Sequence, residues 1–99
     1  MAYTDQQKGE YQKEMETRLK EFDRKLDELK ARAEKMEKKA ETELNQQMEQ
    51  LRRKREEVSK RLEELKSKTD KAWEDIKSGI DAALEDLEKA IDKTISRFK

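Results

Sequence analysis

Cysteine, histidine and proline are absent from this chain of 99 residues, and glycine occurs only twice. Without Cys and His there are no disulfides, no thiol nucleophile and none of the usual side chains that ligate zinc or haem. The commonest general base is missing as well. We therefore expect no metal site, no cofactor and no catalytic residues, and we predict that the chain is not an enzyme.

Long apolar segments and an excess of one charge are also missing. The longest uninterrupted apolar run, residues 82–84, is far too short to span a membrane, and the opening MAYTDQQKGEYQ has no apolar core of a signal peptide. Basic and acidic residues number 25 each, so the net charge of zero provides no long-range field to attract nucleic acid or anionic lipid. We expect a soluble, cytoplasmic protein that does not bind nucleic acid.

The composition is typical of long helices. Hydrophobic residues make up 31% of the chain and charged residues 51%, against about 45 to 50% and about 25% in ordinary globular domains. Acidic residues often precede basic residues by four positions, as in the pairs Glu28/Arg32 and Glu34/Lys38. That spacing stabilises helices and leaves the charges in water.

The last third of the chain repeats an eleven-residue unit. Its copies read KRLEELKSKTD (60–70), KAWEDIKSGID (71–81) and AALEDLEKAID (82–92), and KTISRFK (93–99) begins a fourth. Eleven residues make almost three turns of α-helix, so this repeat keeps one apolar stripe on a nearly straight helix.

Upstream, an apolar stripe begins at Tyr11 and advances mostly in steps of three and four residues, the heptad pattern of a left-handed coiled coil. From the two stripes we predict a packing face, through which helices pair within the chain or between chains. This predicted packing face consists of Leu19, Phe22, Leu26, Leu29, Met36, Leu44, Met48, Leu51, Val58, Leu62, Leu65, Trp73, Ile76, Ile80, Leu84, Leu87, Ile91, Ile95 and Phe98.

We predict an all-α fold, a long helical hairpin or coiled coil whose C-terminal helix carries the hendecad repeat, in a single unit over residues 1–99. A long helix over about residues 4–66 begins with a capping box of Thr4 and Gln7. A break at 67–70, where cap-forming residues cluster, precedes an antiparallel helix over about 71–98. Two alternatives are open: the helix continues through 67–70, or the chain also reverses near Asn45 and forms a three-helix bundle.

The predicted lengths of the two helices differ. The first helix would reach about 90 Å, roughly twice the length of the second, and would leave Leu19, Phe22, Leu26 and Leu29 exposed. We therefore predict a homo-oligomer, a dimer or a tetramer with closed symmetry, in which this arm pairs with another copy. Another helical protein is the alternative partner.

Arg55 interrupts the upstream stripe. It could set the register of a coiled coil from a core position. We favour the simpler interpretation that its stem lies along the seam while its guanidinium group reaches water or an acid such as Glu56.

The C-terminal stripe has two different flanks. One carries small residues, among them Gly79 and Ala83, which let a partner helix approach closely. The other carries acids, among them Asp81, Glu88 and Asp92. Helices that lie on anionic membranes usually carry Lys and Arg beside the apolar face, so a helical partner is favoured and a membrane surface is the alternative.

The segments DKAWEDIKSGIDAALEDLEKAIDKTISRFK, LKEFDRKLDELKARAEK and QMEQLRRKREEVSKRLEELK together resemble a family of small bacterial coiled-coil-domain proteins, some of them described as stress-response proteins. AWEDIKSGID and the closing ISRF are the most specific parts. The resemblance implies a cytoplasmic bacterial protein, and it carries over no catalytic or cofactor residues. We predict a non-enzymatic structural or interaction protein, a self-associating coiled-coil scaffold linked to stress response. The alternative is a reversible amphipathic-helix protein that opens and lays the face from Trp73 to Phe98 on lipid or another apolar surface.

Overall fold

The computed structural model describes residues 4–68 and 70–98. Within them the chain forms three α-helices and no strand: α1 (Asp5–Ala33), α2 (Lys38–Leu65) and α3 (Asp70–Arg97). The all-α prediction is confirmed. The molecule measures 53 × 18 × 17 Å, because helices of this length extend about 42 Å at a rise of 1.5 Å per residue and lie side by side.

The start of α1 has the predicted capping box. The Gln7 amide donates to the Thr4 hydroxyl at 3.1 Å, and the Thr4 amide donates to the Gln7 side-chain oxygen at 2.9 Å. Two amides that lack a partner within the helix are thereby satisfied, which sets the first residue of α1.

Successive helices run antiparallel, so α1 and α3 run parallel to each other. Gln12 near the start of α1 lines one groove with Leu65 at the end of α2, and Arg61 in the second half of α2 lies beside Gly79 in the first half of α3. The connections are four residues long, which is enough for a reversal between neighbouring antiparallel helices. Each helix contacts both of the others.

The structure differs from the predicted helix over about residues 4–66. That stretch forms two helices, and the chain reverses at residues 34–37. The alternative position for a reversal, near Asn45, lies inside α2. The residues at 34–37 contain no glycine, proline or cap-forming side chain, and the sequence therefore carried no local signal for this turn.

Burial of α1 explains why the chain reverses there. The four residues expected to be exposed are buried: the exposed fractions are 3% for Leu19, 2% for Phe22, 7% for Leu26 and 0% for Leu29. Burying each such side chain stabilises the fold by about 1.5 to 3 kcal/mol. An interrupted helix loses a few hydrogen bonds worth about 1 kcal/mol each. Burial is the larger effect, so a single chain folds back on itself.

The second break lies close to its predicted position. Helix α2 ends at Leu65 and α3 begins at Asp70. The amides of residues 66–68 donate to carbonyl groups three residues earlier at 3.3 Å, which tightens the end of α2. Two of the cap-forming residues at this break, Thr69 and the side chain of Asp70, lie outside the described residues.

Leu29 provides a test of this packing. Leu29→Ala removes a side chain with no exposed surface, and we expect the free energy of unfolding to fall by about 2 to 5 kcal/mol. Chemical denaturation followed by circular dichroism measures the change. Asp27→Ala, an exposed position two residues away, is the control and should change stability by no more than about 0.5 kcal/mol. Equal effects of the two substitutions would contradict the packing described for α1.

Candidate interaction surfaces

The structure brings the predicted packing face together in one hydrophobic core. Four of its members, Met36, Ile76, Ile95 and Phe98, are only partly buried and pack against the rest. The fully buried members are Leu19, Phe22, Leu26, Leu29, Leu44, Met48, Leu51, Val58, Leu62, Leu65, Trp73, Ile80, Leu84, Leu87 and Ile91. All three helices contribute, so this face pairs helices within one chain.

The predicted packing face omits several buried residues. Tyr11, Met15 and Ala33 are buried on α1. All three lie at the same three- and four-residue spacing, which was the signal that could have included them. Thr94 on α3 is also buried, and its hydroxyl donates to the Ala90 carbonyl oxygen of its own helix at 2.9 Å.

The acidic flank of α3 lies against α1. The Arg18 guanidinium group binds the Glu88 carboxylate with two N–H groups, one of them at 3.0 Å. Lys25 Nζ lies 2.9 Å from Asp92 Oδ1. The hydrogen bonds that Arg18 donates to the Glu88 carboxylate raise the pKa of Arg18 above its ordinary value. The sequence showed the acids of this flank, but it did not show that α1 supplies their partners.

Tyr11 lies at the centre of a cluster with Trp73, Lys77 and Asp81. Its hydroxyl donates to Asp81 Oδ1 at 2.7 Å and lies 3.3 Å from the Lys77 carbonyl oxygen. The Tyr11 and Trp73 rings meet edge to face with centroids 5.3 Å apart. Lys77 Nζ binds Asp81 at 3.1 Å and lies 5.1 Å from the centroid of the Tyr11 ring. This Tyr11 cluster joins the first turns of α1 to α3.

Arg55 binds an acid, but the acid is on another helix. Its Nε and Nη2 donate to the two oxygens of Asp23 at 3.1 and 2.9 Å. The predicted arrangement of a guanidinium group that reaches an acid is therefore present, with Asp23 of α1 in place of the neighbouring Glu56. The pair is partly exposed, and it stabilises by at most about 1 kcal/mol. Its two parallel bonds still define how α1 and α2 align.

The side of α3 with small residues lies against α2. Ala90 and Leu51 share a groove of about 260 Å³ with Lys54, Lys93 and Arg97, and no acid lines it. Small side chains let the two helices approach closely here. The α2–α3 side thus differs from the α1–α3 side, where acids and bases pair across the interface.

The described residues contain no group of three or more Asp or Glu side chains that could hold a metal ion. None of the described helices is long and apolar enough to cross a bilayer.

Tyr11→Phe tests the Tyr11 cluster. Burial, and secondly the hydrogen bond to Asp81, raise the pKa of Tyr11 well above its ordinary value of about 10. A raised pKa means that the folded state holds the proton more tightly, so this contribution is complete below about pH 10 and is lost as the pH rises further. We expect Tyr11→Phe to lower the free energy of unfolding by about 1 to 2 kcal/mol at neutral pH.

Above pH 10 the two proteins should converge. The free energy of unfolding of the wild type should fall more steeply than that of the variant, by up to about 1.4 kcal/mol per pH unit. Denaturant titrations at a series of pH values measure both slopes. If the free energies of unfolding of the two proteins fall with the same slope above pH 10, folding does not raise the pKa of Tyr11 and the prediction is wrong.

Comparison with known proteins gives no family assignment. No protein-family model matches the chain, and neither a curated protein nor a solved structure matches it. The resemblance of AWEDIKSGID and ISRF to bacterial coiled-coil-domain proteins therefore stays a prediction.

Proposed function

We propose that the chain is a non-enzymatic structural or interaction protein that acts as a self-associating coiled-coil scaffold. One observation carries the proposal: the predicted packing face pairs the three helices within the chain, and Met36, Ile95 and Phe98 of that face are only partly buried and available to a second copy. The chain has few apolar residues, and nearly all of its large apolar side chains are buried between helices. Its specificity therefore lies in how helices pair.

The outer faces support the same proposal. Arg24 pairs with Glu21 and Glu28 on the surface of α1, and Lys89 pairs with Glu85 on α3. Such pairs add a few tenths of a kcal/mol each and keep a helix regular in water. A surface of this kind suits a protein that holds a shape and offers helices to a partner.

A second copy of the chain has an apolar surface to cover. Met36 at the α1–α2 connection and Ile95 and Phe98 near the end of α3 are only partly buried. Because α1 and α3 run parallel, these three residues lie at the same end of the molecule. Apolar surface gathered at one end favours association through that end.

The biological setting of the proposal rests on the sequence resemblance. A bacterial, cytoplasmic protein with a role in stress response is what that resemblance implies. Among partners, the balanced charge supports a helical protein, including another copy of this chain, over nucleic acid.

Self-association is tested by mass and dimension together. Light scattering in line with small-angle X-ray scattering should show a multiple of 11.9 kDa that grows with protein concentration over the micromolar range. A single-chain mass at every concentration, with full helicity by circular dichroism, would contradict the scaffold proposal.

One observation favours the alternative of reversible lipid binding. Thr94, the buried polar side chain identified among the described residues, is satisfied within its own helix. Helix α3 could therefore move from the core to another apolar surface without losing that bond.

The lipid alternative has a direct test. Trp73 is only 1% exposed, so a blue shift of its fluorescence on membrane binding would be small. Quenching by neutral vesicles of brominated phosphatidylcholine reports contact instead. Strong quenching would support the lipid-binding alternative, whereas a scaffold should show none.

A further inference from the structure

The connection between α1 and α2 lacks the residues that normally make a turn. It consists of Glu34, Lys35, Met36 and Glu37, all of which favour helix. No residue in the described chain has positive φ, and Glu37 at the start of α2 makes no side-chain capping bond. The α2–α3 connection differs, because Ser67 and Thr69 there are cap-forming residues.

The first residue of this connection keeps helical backbone geometry. Glu34 has helical angles, φ −63° and ψ −20°. The amides of Lys35 and Met36 donate to carbonyl groups three residues earlier, both at 3.1 Å. Glu37 departs from helical geometry, since its ψ of 149° compares with about −42° in a helix.

The side chains at the connection are also spaced for a continuous helix. Ala33, Met36, Ala40 and Leu44 continue the apolar stripe in steps of three and four residues. Glu34 and Lys38 have the acid-first spacing that forms an ion pair on a continuous helix. The helical preference of residues 34–37 therefore conflicts with the observed reversal. The reversal forms because it buries the apolar side chains of α1.

We propose that residues 34–37 straighten and that two copies of the chain exchange α1, each copy packing its α1 on α2 and α3 of the other. The inference rests on the proposed self-association and names its mechanism. Exchange of an identical element between copies gives a dimer at little energetic cost, because the contacts within each half are the same as before.

The exchanged dimer keeps every contact of α1. The bonds from Tyr11 to Asp81 and from Arg18 to Glu88 would join two chains in place of one. Residues 5–65 would form a helix of about 90 Å, and two such helices would run antiparallel around a two-fold axis at the connection. Each α3 would still fold back on its own α2.

The partly exposed end of the single chain becomes the middle of this dimer. Met36, Ile95 and Phe98, which are only partly buried in one copy, would meet their equivalents near the two-fold axis. The exchange therefore covers apolar surface that a single chain leaves in water, and it forms the continuous helix that the residues at 34–37 favour. Both effects favour the dimer.

Cross-linking tests the exchange in the unmodified protein. Lys25 Nζ and Asp92 Oδ1, 2.9 Å apart, can be joined by a carbodiimide as an amide bond. Unlabelled and ¹⁵N-labelled chains are unfolded and refolded together, and the dimer fraction is cross-linked and analysed by mass spectrometry. We expect linked peptides that combine a labelled Lys25 with an unlabelled Asp92. A dimer fraction whose 25–92 links never combine the two labels would overturn the exchange.

A deletion variant should force the exchange. When residues 34–37 are deleted, Ala40 follows Ala33 by three positions, and the apolar stripe therefore continues. The residues that form the turn are gone, so the chain cannot reverse there. We expect a dimer at all concentrations, with a longest dimension of about 85 Å compared with 53 Å for the single chain. A helical monomer would overturn the exchange.

Lys38→Pro should block the exchange. Position 38 is the first residue of α2, where proline is well tolerated, and it follows the extended Glu37 that proline prefers before it. In the exchanged dimer this proline would lie inside a continuous helix, which lowers the equilibrium constant for forming that helix by roughly a hundredfold in each chain. Since the dimer contains two such chains, its association constant should fall by about ten-thousandfold. Lys38→Ala removes the same charge without restricting the backbone, and it should associate like the wild type.

The outcomes separate the exchange from self-association in general. If Lys38→Pro stays helical and associates as strongly as Lys38→Ala, copies meet through their surfaces: the scaffold proposal stands and the exchange is overturned. If the wild type is monomeric at every concentration, the scaffold proposal and the exchange both fail, even where the deletion variant dimerises.

Discussion

The burial of the apolar stripe of α1 is the constraint on which the rest of the structure depends. Phe22 and Leu29 are almost fully buried, and no other part of a chain with 31% hydrophobic residues could cover them except α2 and α3. The free energy of that burial exceeds the cost of interrupting a helix in a segment of strong helix formers. The reversal at 34–37 is therefore a consequence of tertiary contacts.

Polar contacts fix the position of α1 along α3, which hydrophobic burial alone does not determine. Apolar stripes with repeating spacing can slide past each other by one repeat with little loss. Here Tyr11, Arg18 and Lys25 of α1, spaced by seven residues, bind three acids of α3. These acids are Asp81, Glu88 and Asp92. The two ion pairs, Arg18 with Glu88 and Lys25 with Asp92, each contribute little because they are partly exposed, but together with the bond from the buried Tyr11 they oppose sliding.

The same contacts are compatible with two arrangements of the chain. Helix α1 can lie on α2 and α3 of its own chain or on those of a second copy, and the residues at 34–37 favour the second arrangement while single-chain compactness favours the first. A change in protein concentration that shifts the population between the two arrangements would change the assembly while keeping the contacts of α1 with α2 and α3.

The sequence by itself determined the helical fold, the Thr4 capping box, nearly all of the core and a break near Ser67, because these depend on spacing and on local cap chemistry. It did not show that Arg55 binds Asp23, since that choice depends on which helix lies alongside. Only the tertiary structure decided the turn at 34–37. Local preferences favour helix there, and the free energy that opposes them comes from burying residues far away in the chain.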